Sequence, residues 1–372
     1  MTTGLQVLHV AHQVLPHVGG LEAVVAAETH GLAARGWRVS VVGSAGPATG
    51  AAPGRRTEDG VSVTRVRAWN GLEERFGVPF PVFSPRLLPV LAREVRRADV
   101  VHVHDVLYVS SWLAALCCLL LRTPYVVHRH VGFVHHSSPL VRLVQGVVLA
   151  TWGRLVLGGA RVVLPIDEHV AASLPDRVHE GAKVEVLGNG VDTELYHPAT
   201  DRTSGPRPQV LFVGRFVPKK GFDLVAAAAG DDYDLVFAGG DRPPGLDDPR
   251  LHFLGAVPAA RMPEVYRSAD AMVIASTGEC PLTVLEAMSS GLPVLLREDP
   301  ALHSAWTAGP GVRFVDMERG ELAAALRELV ADPDEMRRVG AAGRAHVVGA
   351  FSWAAHLDHL EATYRRVLGE RR

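Results

Sequence analysis

Two carboxylates near the start of a helix are the residues in this chain closest to recognisable chemistry. In STGECPLTVLEAMSSGLPVLL (276–296), Glu279 sits in a loop shaped by Gly278 and Pro281. Glu286 follows in a short helical segment that stops at a glycine before an apolar strand. Thr283 and Glu286 have the form of a capping box, in which the glutamate reaches back to the Thr283 N–H. The other reading is that a carboxylate here accepts two hydrogen bonds from a sugar diol, while free N–H groups at the helix start bind phosphate. Sugar hydroxyls and phosphate together describe a nucleotide sugar.

Three further loops carry candidate groups. VGRFVPKKG (213–221) brings Arg215, Lys219 and Lys220 to a strand end and the next helix start. Cations there oppose the helix dipole, which makes sense when an anion neutralises them. A solvated basic turn is the alternative. In HVGGLEA (17–23), Gly19 and Gly20 let the backbone approach an anion, or simply form a tight turn with Glu22 in the first helical turn. VVHRHVGFVHH (126–136) crowds His128, Arg129, His130, His135 and His136 at a strand end, with His102 and His104 on another strand. No ligand spacing that closes a metal site is evident, so no metal is expected. A single histidine hydrogen bonding a substrate fits better.

These loops need elements to hold them. Short β-rich runs alternate with helical stretches, the grammar of doubly wound α/β folds. Strands are expected at 6–12, 37–43, 61–66, 99–105, 124–130 and 160–166, with a helix at 21–36 and a buried one within 106–121. Residues 197–208, HPATDRTSGPRP, are polar and proline-rich and read as a linker. The pattern then restarts, with strands at 209–215, 233–240 and 270–276 and a closing helix at 352–368 capped by Ser352. The expectation is two tandem Rossmann-like domains, 1–196 and 209–351, whose parallel sheets face a deep interdomain cleft. Ligands belong beyond the carboxyl ends of the strands.

Length and composition agree. A chain of 372 residues exceeds one ordinary core. A net charge of −2 gives no reason to expect nucleic acid, and three cysteines, two of them adjacent, build no disulfide framework. The N-terminus lacks a basic region followed by a long apolar core, so no signal peptide is expected and a cytoplasmic enzyme is the default. Residues 80–97 place Arg86, Arg93, Arg96 and Arg97 on a partly apolar helix, which suggests peripheral contact with the inner membrane face. A solvated helix face is the alternative.

In order, GGLE, the strand-end His130, NGVD (189–192), VGRFVPKKG and ECPLTVLEAMSSGLPV resemble the retaining glycosyltransferases of family 4, which have the GT-B fold. The likeness covers nearly the whole chain, including its FSW…YRRVL tail. It implies transfer of a sugar from a nucleotide diphosphate sugar to an acceptor with anomeric configuration kept, without cofactor or obligatory metal. It implies that Arg215 and Lys220 bind the donor diphosphate, that Gly19 and Gly20 lie under the phosphates, and that His130 contacts the donor sugar near its reacting carbon. Glu286 would hold the ribose, within a donor-binding stretch of Glu279, Cys280, Pro281, Leu282, Thr283 and Glu286. The final helix, 352–372, would pack back on the first domain. One departure stands out: the family separates its two glutamates by seven residues, whereas six separate Glu279 from Glu286, placing Gly278 where the first glutamate belongs.

The chemistry then follows from charge. Negative charge grows on the leaving diphosphate, where Arg215, Lys220 and helix N-termini would stabilise it, and positive charge grows on the anomeric carbon. The displaced glutamate motivates a second reading, a nucleotide-sugar-binding scaffold with weak catalysis. A third is an epimerase on the same framework. The donor base, its sugar and the acceptor are not written in these motifs.

Overall fold

The computed structural model describes residues 4–369 apart from 18, 47–49, 72–79, 133–138, 180–182, 201–204, 278–281, 305, 308 and 318–320. The chain divides into two compact units: Met1–Gly188 with His356–Arg372, and Asn189–Ala355.

In the first unit, valine-rich runs form the parallel strands, buried on both faces as a parallel sheet covered by helices requires, while the edge strands β3 and β5 are exposed or half-buried. The strands are β1 (Gln6–Val10), β2 (Arg38–Ala45), β3 (Gly54–Glu58), β4 (Val61–Trp69), β5 (Val82–Phe83), β6 (Val100–His104), β7 (Tyr125–Arg129) and β8 (Val162–Pro165). They are ordered β3-β4-β2-β1-β6-β7-β8, with β5 on β4. Among the described residues, only strands β3 and β5 run antiparallel to their neighbour. Helices α1 (Gly20–Ala34), α2 (Leu87–Arg97), α3 (Val109–Leu121), α4 (Pro139–Val148), α5 (Arg154–Gly159), α6 (Glu168–Ala172) and α7 (Asp176–His179) cover it. One π-helical turn, Leu149–Gly153, joins α4 to α5. Leu8, Val10, Val103 and Tyr125 face one core layer, and Val7, Val39 and Val126 the other, which Leu357, Leu360 and Tyr364 complete.

The second unit contains β9 (Gln209–Val213), β10 (Asp234–Ala238), β11 (Leu251–Phe253), β12 (Ala271–Ile274), β13 (Val294–Arg297) and β14 (Val312–Val315). The order β11-β10-β9-β12-β13-β14 is all parallel. It reverses direction between β9 and β12, the place where such sheets open a crevice for ligands. Helices α8 (Phe222–Ala227), α9 (Met262–Ser268), α10 (Thr283–Ser289), α11 (Glu321–Ala331) and α12 (Pro333–Ala350) pack on this sheet. The last helix, α13 (Trp353–Gly369), starts here under Ser352, whose hydroxyl accepts from the Ala355 N–H, and belongs to the first unit from His356 onward.

Two details depart from the sequence reading. Residues 189–196, expected with the first domain, count with the second. Asp192 Oδ1 accepts from the N–H groups of Glu194 and Leu195, and the Tyr196 carbonyl accepts from Ser289 Oγ at 2.6 Å and from Arg344. The two bonds to the Tyr196 carbonyl fasten the segment to α10 and α12. The helix expected over 80–97 begins only at Leu87, because the preceding residues pair as β5 with β4.

Candidate active site

The candidate residues fall into two groups, one in each unit. In the second, the loops after β9 and β12 flank the sheet's reversal point. The first carries Arg215, Lys219 and Lys220, and the second leads into α10. The Thr277 N–H donates to the Lys219 carbonyl at 3.1 Å and ties the two loops together. Gly221 makes this approach possible. Its φ is +68°, and a Cβ there would stand 2.4 Å from the Ala275 carbonyl oxygen. Arg215 is exposed, and among the described residues its side chain makes no hydrogen bond or ion pair.

The capping-box reading of Thr283 and Glu286 is corrected here. Thr283 is the first residue of α10, Leu282 holds the N-cap position, and no side chain caps the helix. Glu286 turns instead to tyrosines. The Tyr266 hydroxyl donates to Glu286 Oε2 at 2.6 Å, and Tyr196 also hydrogen bonds the carboxylate. Burial pushes the Glu286 carboxyl up, and the tyrosine bonds draw it part of the way back. A carboxylate has about four lone-pair sites. Two donors therefore orient it and leave acceptor capacity for a diol. Glu279, Cys280 and Pro281, with Gly278, lie outside the described residues, as do His135 and His136.

In the first unit, the loops after β1, β6 and β7 emerge from adjacent strands at one edge of the sheet. Gly19 is the N-cap of α1. The Glu22 carboxylate folds back against it, so that a Cβ at Gly19 would lie 2.2 Å from Glu22 Oε2, and His17 Nδ1 sits 3.0 Å from Glu22 Oε1. The protein's own carboxylate thus stands beside this helix terminus. Gly20 faces open space, with nothing within 4 Å of where a Cβ would be.

His130 is fixed from two sides. Asp105, buried and in the left-handed region at φ +66°, accepts from the backbone N–H groups of Val106, His130 and Val131. Asp tolerates this conformation better than most residues. The His130 ring joins a buried row of imidazoles. Its Nε2 lies 3.1 Å from His104 Nδ1, and His104 Nε2 lies 3.0 Å from His9 Nδ1. Glu28, from the middle of α1, closes the group at 3.6 Å from His9 Nδ1, 3.7 Å from His104 Nε2 and 3.3 Å from His128 Nδ1, with His356 Nε2 at 3.0 Å.

Among the described residues, His9, Glu28, His102 and His104, and separately His104, His128 and His130, are close enough together to share a metal ion. Two of the histidine pairs are arranged for hydrogen bonding. In both the His9–His104 and His104–His130 pairs the ring centroids are 5.3 Å apart. That exceeds the N···N distance by about two ring radii, so the nitrogens point straight at each other. This is the geometry of N–H···N hydrogen bonds between these two pairs. The same row sets tautomers. His9 Nε2 is buried with no partner. A bare lone pair is tolerated there better than an N–H with nothing to donate to. His9 Nδ1–H therefore donates to His104, His104 Nδ1–H donates to His130 Nε2, and His130 keeps its proton on Nδ1. Burial holds His130 well below the ordinary histidine range, with His128 and His104 adding to the effect, so the ring is neutral. Burial alone would push the Glu28 carboxyl up, but the surrounding histidines outweigh it and hold it well below its usual range.

The sequence reading singled out none of Tyr196, Tyr266, Glu28 or Asp105. Glu28 left a signal, because it lies on the apolar stripe of α1 with Val24, Val25 and Leu32, where a charge needs a reason.

This fold and these loops define a sugar-transferring enzyme. Residues 18–195 match the model of Glycosyltransferase Family 4 and residues 207–332 that of Glycosyl transferases group 1, together spanning most of the chain. The chain belongs to this glycosyltransferase family. The D-inositol 3-phosphate glycosyltransferase of Nocardia farcinica is 28% identical over 95% of this chain and 86% of its own length. That of Geodermatophilus obscurus is 29% identical over 93% and 84%. Among solved structures, sucrose-phosphate synthase from Thermosynechococcus elongatus superposes with a TM-score of 0.74 at 21% identity, covering 99% of this chain and all of that one. Anabaena HepE in complex with UDP gives 0.72 at 16%, covering 97% of this chain and all of that one. These structures share the two-domain GT-B fold found here.

Proposed function

We propose that the protein transfers a sugar from a nucleotide diphosphate sugar to a hydroxyl acceptor with retention of anomeric configuration. The observation that carries this reading is Glu286, oriented by two tyrosines on the helix that follows β12, whose preceding loop is tied through Thr277 to the loop of Arg215 and Lys220 where the second sheet reverses. The carboxylate suits a ribose diol. The two cations suit a diphosphate, whose charge rises as the sugar–phosphate bond breaks, and they supply that stabilisation without a resident metal or cofactor. HepE, which shares the fold, is described as bound to UDP.

His130 complements these groups chemically. A neutral ring donating from Nδ1 grips a sugar hydroxyl without placing a positive charge near the electron-poor anomeric carbon, where an imidazolium would oppose the reaction. With no general base assigned, the departing phosphate takes the acceptor proton. A nucleotide-sugar donor, synthesised in the cytoplasm, supports a cytoplasmic reaction. The curated relatives carry the name D-inositol 3-phosphate glycosyltransferase, which makes a phosphorylated polyol the first acceptor to assay.

The test is turnover. UDP-, GDP- and ADP-sugars are offered with D-inositol 3-phosphate and with lipid-linked and oligosaccharide acceptors, and the anomeric proton coupling of the product is read by NMR. The native protein is expected to release nucleotide diphosphate with retention, and folded Arg215→Ala and Lys220→Ala to lose that release. An inverted product, a donor altered with no acceptor present, or full turnover in both variants would overturn the reading.

A further inference from the structure

The outward face of the helix running from α4 through the π-turn to α5 has the wrong polarity for water. A helix on the surface of a globular unit points its apolar stripe inward and its charges outward. Here Val156 and Leu157 are buried as expected, but Leu143, at 65% exposure, with Val144, Val147, Trp152 and Leu155, is turned to solvent. Arg154 is the charged residue among them. The end of α3 widens the patch with Leu120, 73% exposed, and Leu119. Two contacts hold the helices side by side. Trp112 stacks on Trp152 at 5.5 Å, and Leu119 sits where a Cβ on Gly159 would meet it at 2.9 Å. The face is built by packed helices, and apolar patches of this kind mark interaction surfaces.

Charge says what covers it. Residues 106–166 contain no Asp or Glu and five arginines, at 122, 129, 142, 154 and 161. Arg129 is buried beside Asp105, while Arg122, Arg154 and Arg161 are exposed around the patch and Arg142 is half-buried. In a two-fold dimer the patch would meet itself and bring arginines together with no carboxylate from this segment between them. An anionic bilayer meets both features. Leucine and valine enter the headgroup boundary, tryptophan sits at the interface, and each arginine contributes about fivefold to partitioning.

We infer that the face formed by residues 142–159 and the end of α3 docks the protein peripherally on an anionic phospholipid membrane. The arginine-rich α2 offers fewer free charges, with Arg86 and Arg96 exposed. Arg93 and Arg97, with Arg55, converge on the buried Glu94 carboxylate at 2.9, 3.6 and 3.6 Å. No helix among the described residues is long and apolar enough to cross a membrane, so the contact is interfacial. The inference goes beyond the reaction proposed above and stands whether or not that reaction is found.

The test is co-sedimentation of the full chain with vesicles of phosphatidylcholine alone, or with one-third phosphatidylglycerol, at about 0.1 M and about 1 M salt. The native protein is expected to pellet with anionic vesicles at low salt, less at high salt, and not with neutral vesicles. The double variant Leu143→Asp/Val147→Asp is expected to bind at least tenfold more weakly, and Arg154→Glu, which reverses a charge, roughly 25-fold. All three substituted side chains are exposed, so melting temperatures should match the native protein. Failure of the native protein to pellet at low salt, or undiminished pelleting of the double variant, would overturn the inference. So would a dimer by light scattering that the double variant dissociates without any vesicle binding.

Discussion

His12 offers a quantitative test of how the first unit is built. Its ring is buried and stacked on Tyr108 at 3.7 Å and 6° between planes, and its Nδ1 has no partner. Burial, helped by the nearby His17, pushes it down to about 3, while His9 is pushed by burial to about 4. Below the ordinary value of 6.5 the unfolded chain therefore takes up a proton at each site that the folded chain refuses. Acid favours unfolding, and the loss runs from about pH 6.5 down to the folded value. Each pH unit in that window is worth about 1.4 kcal/mol per ring, so a drop to about pH 5 removes about 2 kcal/mol per histidine. The two sites together lose about 4 kcal/mol, a large part of the 5–15 kcal/mol typical of a folded protein. His102, His104 and His130 push in the same direction. Burial raises Asp105, Asp167 and Glu286, which work the other way in native and variant protein alike and cancel when the two are compared. The perturbation is His12→Phe, which keeps the ring stack and removes the titration. Urea unfolding at about pH 7.5 and about pH 5 should show the variant losing about 2 kcal/mol less than the native protein. Identical losses would refute the claim that His12 is held neutral by burial.

Two backbone predictions separate structural from ligand-facing glycines. Gly221→Ala combines a left-handed φ with a Cβ driven into the Ala275 carbonyl, and should destabilise by about 2–4 kcal/mol in urea unfolding. Gly20→Ala has open space and a helical position, so stability should hold or rise by up to about 1 kcal/mol. If a diphosphate approaches the bare backbone there, nucleotide affinity measured by calorimetry should nonetheless fall, and unchanged affinity would remove Gly20 from the site.

Much of this was legible before any coordinates. Alternating apolar runs and helices gave the two-sheet architecture, because parallel strands buried on both faces cannot avoid continuous valine. Arg215, Lys219 and Lys220 were visible because like charges at a strand end ask for an anion. What stayed hidden depends on chain distance. Glu28 meets His104 across 76 residues, and Tyr266 meets Glu286 across 20. No local pattern announces either meeting. The capping-box motif misled for a related reason: its spacing is local, and two tyrosines from elsewhere offered Glu286 better hydrogen bonds than the Thr283 N–H did. The outward apolar face of 142–159 has no distinct signature, because a short apolar run reads equally well as core.

The central claim is that Glu286 grips the nucleotide of a sugar donor. Thermal unfolding of native protein and Glu286→Gln, with UDP, GDP or ADP at about a hundred times the dissociation constant, addresses it directly. One nucleotide should stabilise the native protein by about 2.7 kcal/mol, a shift of roughly 2–4 °C, and the folded variant by clearly less. No shift with any nucleotide, or an equal shift in both proteins, would contradict the account.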